Sequence, residues 1–236
     1  MYPYLFDNPT LDMYDIIGVL GYLLILAYFL WKKTWSPTLD GESPEKGRVW
    51  MILLPLLVHL LTYTFGGKQL GGIVNRATEF FGYVAVSALA MVLAAITLGA
   101  KPLEWLDKTT PLYLLLASVL KLSCFCSGCC HGQVWVHGLY NQWHQQWEFP
   151  IQLVEAAAYG LLFLLLCWYQ GRPGVRFALF LTGYAGVRFA VQFFRADMAM
   201  FSPFHWMSAV FFGVGVILLV GFALYKPNPQ TERASE

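Results

Sequence analysis

Apolar residues in this chain run in long continuous blocks broken by short polar stretches, rather than alternating with polar ones. A block of about 20 such residues, coiled as a helix, spans the roughly 30 Å hydrocarbon core of a bilayer. Inside lipid every backbone amide needs an internal partner, so only helices or a closed barrel cross it, and unbroken rather than alternating blocks select helices. The blocks run from Tyr14 to Trp31, Trp50 to Phe65, Phe80 to Leu98, Leu112 to Cys124, Ile151 to Trp168, Val175 to Phe194 and Phe204 to Tyr225. The fourth is short and enters a polar, cysteine-rich segment. The pattern predicts an all-α polytopic membrane protein of about seven transmembrane helices. It forms a single transmembrane domain over 1–236, with 1–13 an exterior N-terminal segment and 227–236 a polar cytoplasmic tail.

Composition agrees. Charged residues are 12% of the 236 and hydrophobic ones 58%, against about 25% charged in a soluble domain. Such a chain lacks the polar surface a soluble globule requires. A net charge of +1 without any basic tract excludes nucleic acid as an expected partner. No charged n-region, short apolar run and cleavage site precede the first block, so no removable signal peptide is expected. Lys32, Lys33, Lys46, Arg48, Lys101, Lys108, Arg172, Arg176, Lys226 and Arg233 fall on one side of the predicted bundle. Only Lys68, Arg76, Lys121 and Arg195 fall on the other, with Arg188 inside a span. The positive-inside rule then puts the N-terminus outside and the C-terminus in the cytoplasm.

That orientation sends the unusual residues to the exterior face. Among them, Lys121 to Gly132 reads Lys-Leu-Ser-Cys-Phe-Cys-Ser-Gly-Cys-Cys-His-Gly, with His137 and His144 following. Thiolates and imidazoles at such spacing suit a zinc or copper(I) site. Cys126-Ser-Gly-Cys129 has the spacing of a redox pair. Small residues at a helix end also simply permit close packing. On the sixth span Tyr184, Arg188, Gln192 and Arg195 lie at i, i+4, i+8 and i+11, which places them on one helical face. An arginine in a span needs a partner or an aqueous cavity, and its guanidinium suits a phosphate; the plainer alternative is a snorkelling anchor. On the fifth span, opened by Pro150, Gln152 and Glu155 share a face, and Glu155 offers an ion partner for Arg188 or a proton acceptor. His59 and Glu79 fit ordinary structural roles.

These pieces, in this order, resemble the prolipoprotein diacylglyceryl transferase family. The opening Met1-Tyr2-Pro3-Tyr4-Leu5-Phe6 with Tyr14 is similar to that family's N-terminus. Gly71-Gly72 falls at its His-Gly-Gly segment, and Lys121 through Gly132 at its Arg-x-Gly-Asn-Phe…Gly-Glu…Gly signature. Pro150, Gln152, Leu153 and Glu155 match its His-Pro-x-Gln-Leu-Tyr-Glu element, and Gly183-Tyr184, Arg188, Phe193-Phe194-Arg195 and Asp197 its sixth-helix motif. The departures are Leu70 for the catalytic histidine, Lys121 for arginine, Cys124 for asparagine, Cys129 for glutamate, Val154 for tyrosine and Gln192 for glutamate.

The resemblance implies a multi-pass protein of a prokaryotic plasma (inner) membrane, its active face exterior. Diacylglycerol would pass from a phosphatidylglycerol-like phospholipid to an acceptor, a lipobox cysteine thiol or another protein or small-molecule thiol. It implies catalytic roles for Tyr14, Glu155, Tyr184 and Arg188, and where the family's histidine and glutamate are lost, His131 and Cys129 are the candidates to supply the missing base or a nucleophile. Lys68, Gly71, Gly72, Lys121, Gly132, Gln152, Gln192 and Arg195 would bind substrate. No cofactor is implied. The competing expectations are a membrane thiol–disulfide or metal-binding protein built on Cys126 to Cys130 and His131, and a catalytically inactive lipid-binding relative.

Overall fold

A computed structural model describes residues 16, 17, 19–21, 23, 57, 76–142, 144–196 and 201–225. Five long helices dominate: α1 Arg76–Thr97, α2 Pro102–Ser127, α3 Ile151–Trp168, α4 Val175–Gln192 and α5 Pro203–Leu224. Between α2 and α3 lies an antiparallel hairpin, β1 Val134–Asn141 and β2 Gln146–Glu148. The predicted spans Tyr14 to Trp31 and Trp50 to Phe65 lie almost wholly outside the described residues. From the first of them, helical Gly21 approaches Val119 of α2 so closely that a Cβ would meet Cγ1 at 2.2 Å.

Two expectations need correction. The fourth span does not begin at Leu112: α2 starts ten residues earlier and carries Pro111 within it. Asp107-Lys108-Thr109-Thr110-Pro111 reads as a polar break, yet all five are buried. Thr109 and Thr110 donate their hydroxyls to the carbonyls of Trp105 and Leu106, at 2.9 to 3.2 Å. Asp107 caps α4 from outside it, accepting the Gly174 and Phe177 amides at 2.8 Å each. Polar residues bonded to backbone in this way are compatible with a helix interior and with burial. The second correction is to the all-α reading. Val134-Trp-Val-His-Gly-Leu-Tyr is rich in β-branched and aromatic residues, and Gln145 takes the left-handed turn conformation (φ 52°) that returns the chain as β2.

α4 packs along α5, α2 along α3, and the core is aromatic where they meet. Tyr113 stacks on Phe180 at 5.4 Å, and Tyr159 lies 4.9 Å from Tyr184. α2, α3 and α5 are each long and apolar enough to cross a membrane. A helix of 26 residues, such as α2, is about 39 Å long at 1.5 Å per residue. The outward faces suit lipid: Trp206, Val210, Ile217, Val220 and Leu224 of α5 are all exposed at helical spacing. The bundle has two unlike ends. One carries the hairpin and the cysteines; at the other Asp107 meets Gly174, and Arg172 donates to the Tyr225 carbonyl at 3.0 Å.

Candidate functional site

Beneath the hairpin, the C-terminal part of α2, the N-terminal turns of α3 and the C-terminal part of α4 converge. Each contributes a charge: Lys121, Glu155 and Arg188. The Glu155 carboxylate is wholly buried, with Lys121 Nζ 2.6 Å from Oε2 and the Arg188 guanidinium hydrogen-bonded to Oε1. Tyr159, one turn beyond Glu155, donates its hydroxyl to Oε1 at 3.3 Å, and Tyr184 packs against Tyr159. Isolated charges this deep are excluded by their desolvation cost, so a carboxylate held by two cations and a phenol is how the chain tolerates them.

Tyr184, Arg188, Gln192 and Arg195 are all buried, as the shared-face spacing predicts. α4 itself stops at Gln192, however. Arg195 reaches the site through a turn, its backbone bridged to Gly132. A different neighbour requires glycine at 132, where a Cβ would sit 2.2 Å from the Phe149 carbonyl oxygen. Gln192 Nε2 donates to Ser208 Oγ of α5 at 3.4 Å, and Gln152 Nε2 to the Cys129 carbonyl at 2.9 Å. Arg188 Nε, Gln152 Oε1 and Gln192 Oε1 are buried without a hydrogen-bond partner among the described residues. An orphaned buried polar atom costs about 1–3 kcal/mol, a cost that a polar ligand bound beside it would remove. Three cations, Lys121, Arg188 and Arg195, thus stand around the one Glu155 carboxylate.

Against this pocket lie three thiols, Cys124, Cys129 and Cys130. Gly128 and Cys130 both take left-handed backbone (φ 69° and 58°), which folds the chain back past the end of α2. Cys126 and Cys129, whose spacing suits a redox pair, are both free thiols. Cys124 and Cys126 are about 200° apart around the helix, and Cys126 is not among the three. Hydrogen bonds from Cys124 and Cys129, helped by Lys121 and Arg195, hold the Cys130 thiol well below its ordinary range despite burial. A hydrogen bond with Cys124 lowers Cys129, but its bond with Cys130 and burial outweigh this and push it up to about 12.

The structure thus brings together Cys129, Gly132, Glu155, Tyr184, Arg188, Lys121, Gln152, Gln192 and Arg195 from the sequence-derived set. His131 departs from it. Its ring lies 4.0 Å from that of His144, tilted by 49°, and His144 Nδ1 lies 2.7 Å from the buried Glu148. Tyr14, Lys68, Gly71 and Gly72 lie outside the described residues. Tyr159 and Glu148 are not in the sequence-derived set, while Cys124 enters it only as a departure from the family motif and Cys130 only in the thiol or metal alternative. Only Tyr159 carried a local signal, its i+4 spacing from Glu155.

Comparison with known proteins gives two kinds of match. A segment of 66 residues is 46% identical to the phosphatidylglycerol–prolipoprotein diacylglyceryl transferase of Acinetobacter baylyi, over 25% of this chain and 24% of that protein. A segment of 82 residues is 38% identical to the protein of the same name from Idiomarina loihiensis, over 30% of this chain and 31% of that one. The aligned segments thus span only a quarter to a third of these relatives' lengths. The sequence profile of one family, described as prolipoprotein diacylglyceryl transferase, is far more extensive and matches residues 3–221. By that match, and by a buried cation–carboxylate cluster assembled from the motifs it covers, the chain belongs to the prolipoprotein diacylglyceryl transferase family.

Proposed function

We propose that this protein is a membrane transferase that moves the diacylglyceryl group of a phosphatidylglycerol-like lipid onto a thiol acceptor at the outer leaflet. The observation that carries this is the excess of positive charge around Glu155, buried yet lined with unpartnered polar atoms. A phosphodiester is a single anion with acceptor oxygens, the complement of that site. In this reading Arg188, Arg195 and Lys121 hold the phosphate, Gln152 and Gln192 take further lipid oxygens, and Tyr184 with Tyr159 shapes the wall. Tyr14, Lys68, Gly71 and Gly72, outside the described residues, are assigned to the same site by the family resemblance alone.

In the transfer the acceptor sulfur forms a bond to the terminal glyceryl carbon of the diacylglyceryl group, and that carbon's bond to the phosphate oxygen breaks. Glycerol phosphate leaves with the electron pair, and the thiol proton ends on a phosphate oxygen. Glu155, once phosphate draws Lys121 and Arg188 towards itself, is the carboxylate placed to relay that proton. The family's catalytic histidine is Leu70 here, so the relay needs a group of this kind. Cations fixed at the departing phosphate stabilise charge where it develops. A thioether does not revert under these conditions, so a cysteine of the chain acting as covalent intermediate would be a dead end. The cysteines therefore belong to the wall of the site.

The full bundle is read as seven spans with the hairpin outside and the C-terminus cytoplasmic. The exposed Trp135 and Trp147 of the hairpin suit the membrane–water interface. The test is turnover in mixed micelles of phosphatidylglycerol with a lipobox-cysteine peptide, followed by mass spectrometry. The peptide is expected to gain a diacylglyceryl mass, and its serine analogue to gain none. Arg188→Lys keeps the charge but loses the two-pronged donor, and should slow turnover by about 10²-fold or more. An inactive wild-type protein that is folded and lipid-bound, or full activity in Arg188→Lys, would overturn the proposal. Lipid consumed without peptide product would assign a different acceptor.

A further inference from the structure

A second polar cluster lies outside the pocket, on the hairpin. His131, His144 and Glu148 each present a ligand atom, all within 4.8 Å of one another. They come from three places: the segment entering β1, the hairpin turn and β2. Glu148 is not an ordinary surface acid, for it is fully buried. Asn141 Nδ2 donates to one carboxylate oxygen and Gln146 Nε2 to the other, each at 2.8 Å. His144 Nδ1 approaches that second oxygen at 2.7 Å and also lies 3.0 Å from Asn141 Nδ2. His144 is open to solvent on its other side, with 34% of its side chain exposed.

We propose that His131, His144 and Glu148 form a binding site for a divalent transition cation of the zinc class. Two imidazoles and a carboxylate are a zinc donor set, and a three-ligand set leaves one position for water. Bond lengths of about 2.0–2.2 Å in a tetrahedron separate ligand atoms by about 3.3 Å. Ligand atoms already within 4.8 Å reach that spacing by side-chain rotation alone. The Asn141 and Gln146 amides hold the carboxylate in place, as the outer hydrogen bonds of metal sites do. Two imidazole rings packed at 4.0 Å beside one buried carboxylate are the arrangement a cation organises: it takes a lone pair from each ring and neutralises the acid. The site differs from the soft-metal reading of the sequence, which joined His131 to the cysteines. Here the imidazole next to Cys130 serves a separate, harder donor set.

The consequence is mechanical. The Ala196 amide donates to the His131 carbonyl at 3.1 Å, the Gln133 amide to the Phe194 carbonyl at 2.9 Å, and Gly132 bridges Arg195. A cation joining His131 to the hairpin turn and β2 staples the hairpin to the segment around Gly132 that bridges to Arg195. It is a positioning device for the roof of the pocket.

The experiment is calorimetric titration of zinc chloride into the full chain in detergent, purified without a histidine tag and stripped with chelator. Cobalt(II) absorption spectra are recorded in parallel. One zinc per chain is expected, with affinity falling at least tenfold in His144→Ala and in Glu148→Gln. Cobalt should give visible d–d bands without the near-ultraviolet charge-transfer band of thiolate ligation. The double variant Cys129→Ser/Cys130→Ser should bind as the wild type does. His144 sits in an exposed turn, so its removal leaves the fold intact, and unchanged helical circular dichroism verifies this. No saturable zinc binding, binding unaltered in His144→Ala, or a thiolate band lost in the cysteine variant would each overturn the proposal.

Discussion

At Glu155, a carboxylate with no access to water is ion-paired to Lys121 and Arg188 and hydrogen-bonded by Tyr159. Its worth to the fold lies in completeness. Removing one member of a buried pair strands the other, at a cost of about 3–5 kcal/mol, whereas replacing both by apolar residues is often nearly neutral. Glu155→Met and Arg188→Met should therefore each lower stability in detergent by about 3 kcal/mol, and Glu155→Met/Arg188→Met should lose clearly less than their sum, the stranded Lys121 accounting for part of what remains. Denaturation midpoints of the two single variants and the double variant measure the coupling. Additive losses would show that the pair contributes nothing jointly. The pairing itself was legible early, because Arg188 in a span demanded a partner and Glu155 was the nearest intramembrane acid. Lys121 as a second partner was not, since its side of the cluster depends on how α2 lies against α3.

At the level of elements, one carboxylate reaches from the middle of one helix to begin another. Asp107 accepts the Gly174 and Phe177 amides, doing at the start of α4 what an adjacent N-cap residue does elsewhere. Gly174, at φ 91°, turns the chain into position for it. Asp107→Asn replaces one acceptor oxygen by a donor that faces an amide, and should cost about 1–2 kcal/mol. Hydrogen exchange should be faster at the Gly174 and Phe177 amides in particular; an unchanged pattern would show that water caps α4 instead. No sequence rule links residues 107 and 174. This is why a polar stretch inside α2 read as a break between helices. The hairpin was obscured for a similar reason: eight residues of strand lie among cysteines, histidines and glutamines that draw attention to chemistry and away from β-propensity.

Across the whole molecule, polar chemistry is segregated to the two ends of an apolar bundle. Among the described residues, the hairpin end holds Glu155 and its cations, Cys124, Cys126, Cys129 and Cys130, and His131, His137 and His144; the opposite end holds Asp107, Cys167, Arg172 and Arg176. The positive-inside rule predicts that the hairpin end faces outward. An impermeant maleimide added to intact cells should therefore label Val136→Cys, a site 81% exposed, above the background of the native cysteines. Tyr225→Cys, at the other end, should label only after permeabilisation. The reverse pattern would invert the topology and place the transfer chemistry on the cytoplasmic leaflet.

The apolar blocks by themselves determined that this chain is built of membrane-length helices, because lipid tolerates no other continuous apolar segment. They also located α3, α4 and α5 to within a few residues, since Pro150, Gly174 and Pro203 punctuate their starts. Helical periodicity put Tyr184, Arg188 and Gln192 on one face, which is local geometry and needs no neighbour. Tertiary structure alone decided which thiols meet, because two left-handed residues fold Cys129 and Cys130 back towards Cys124. It alone sent His131 to His144 and Glu148 rather than to the cysteines, since that choice depends on strand pairing seven residues and more away. Spacing along one helix is dictated by 3.6 residues per turn, but contacts between elements depend on chain reversals whose direction no local pattern encodes.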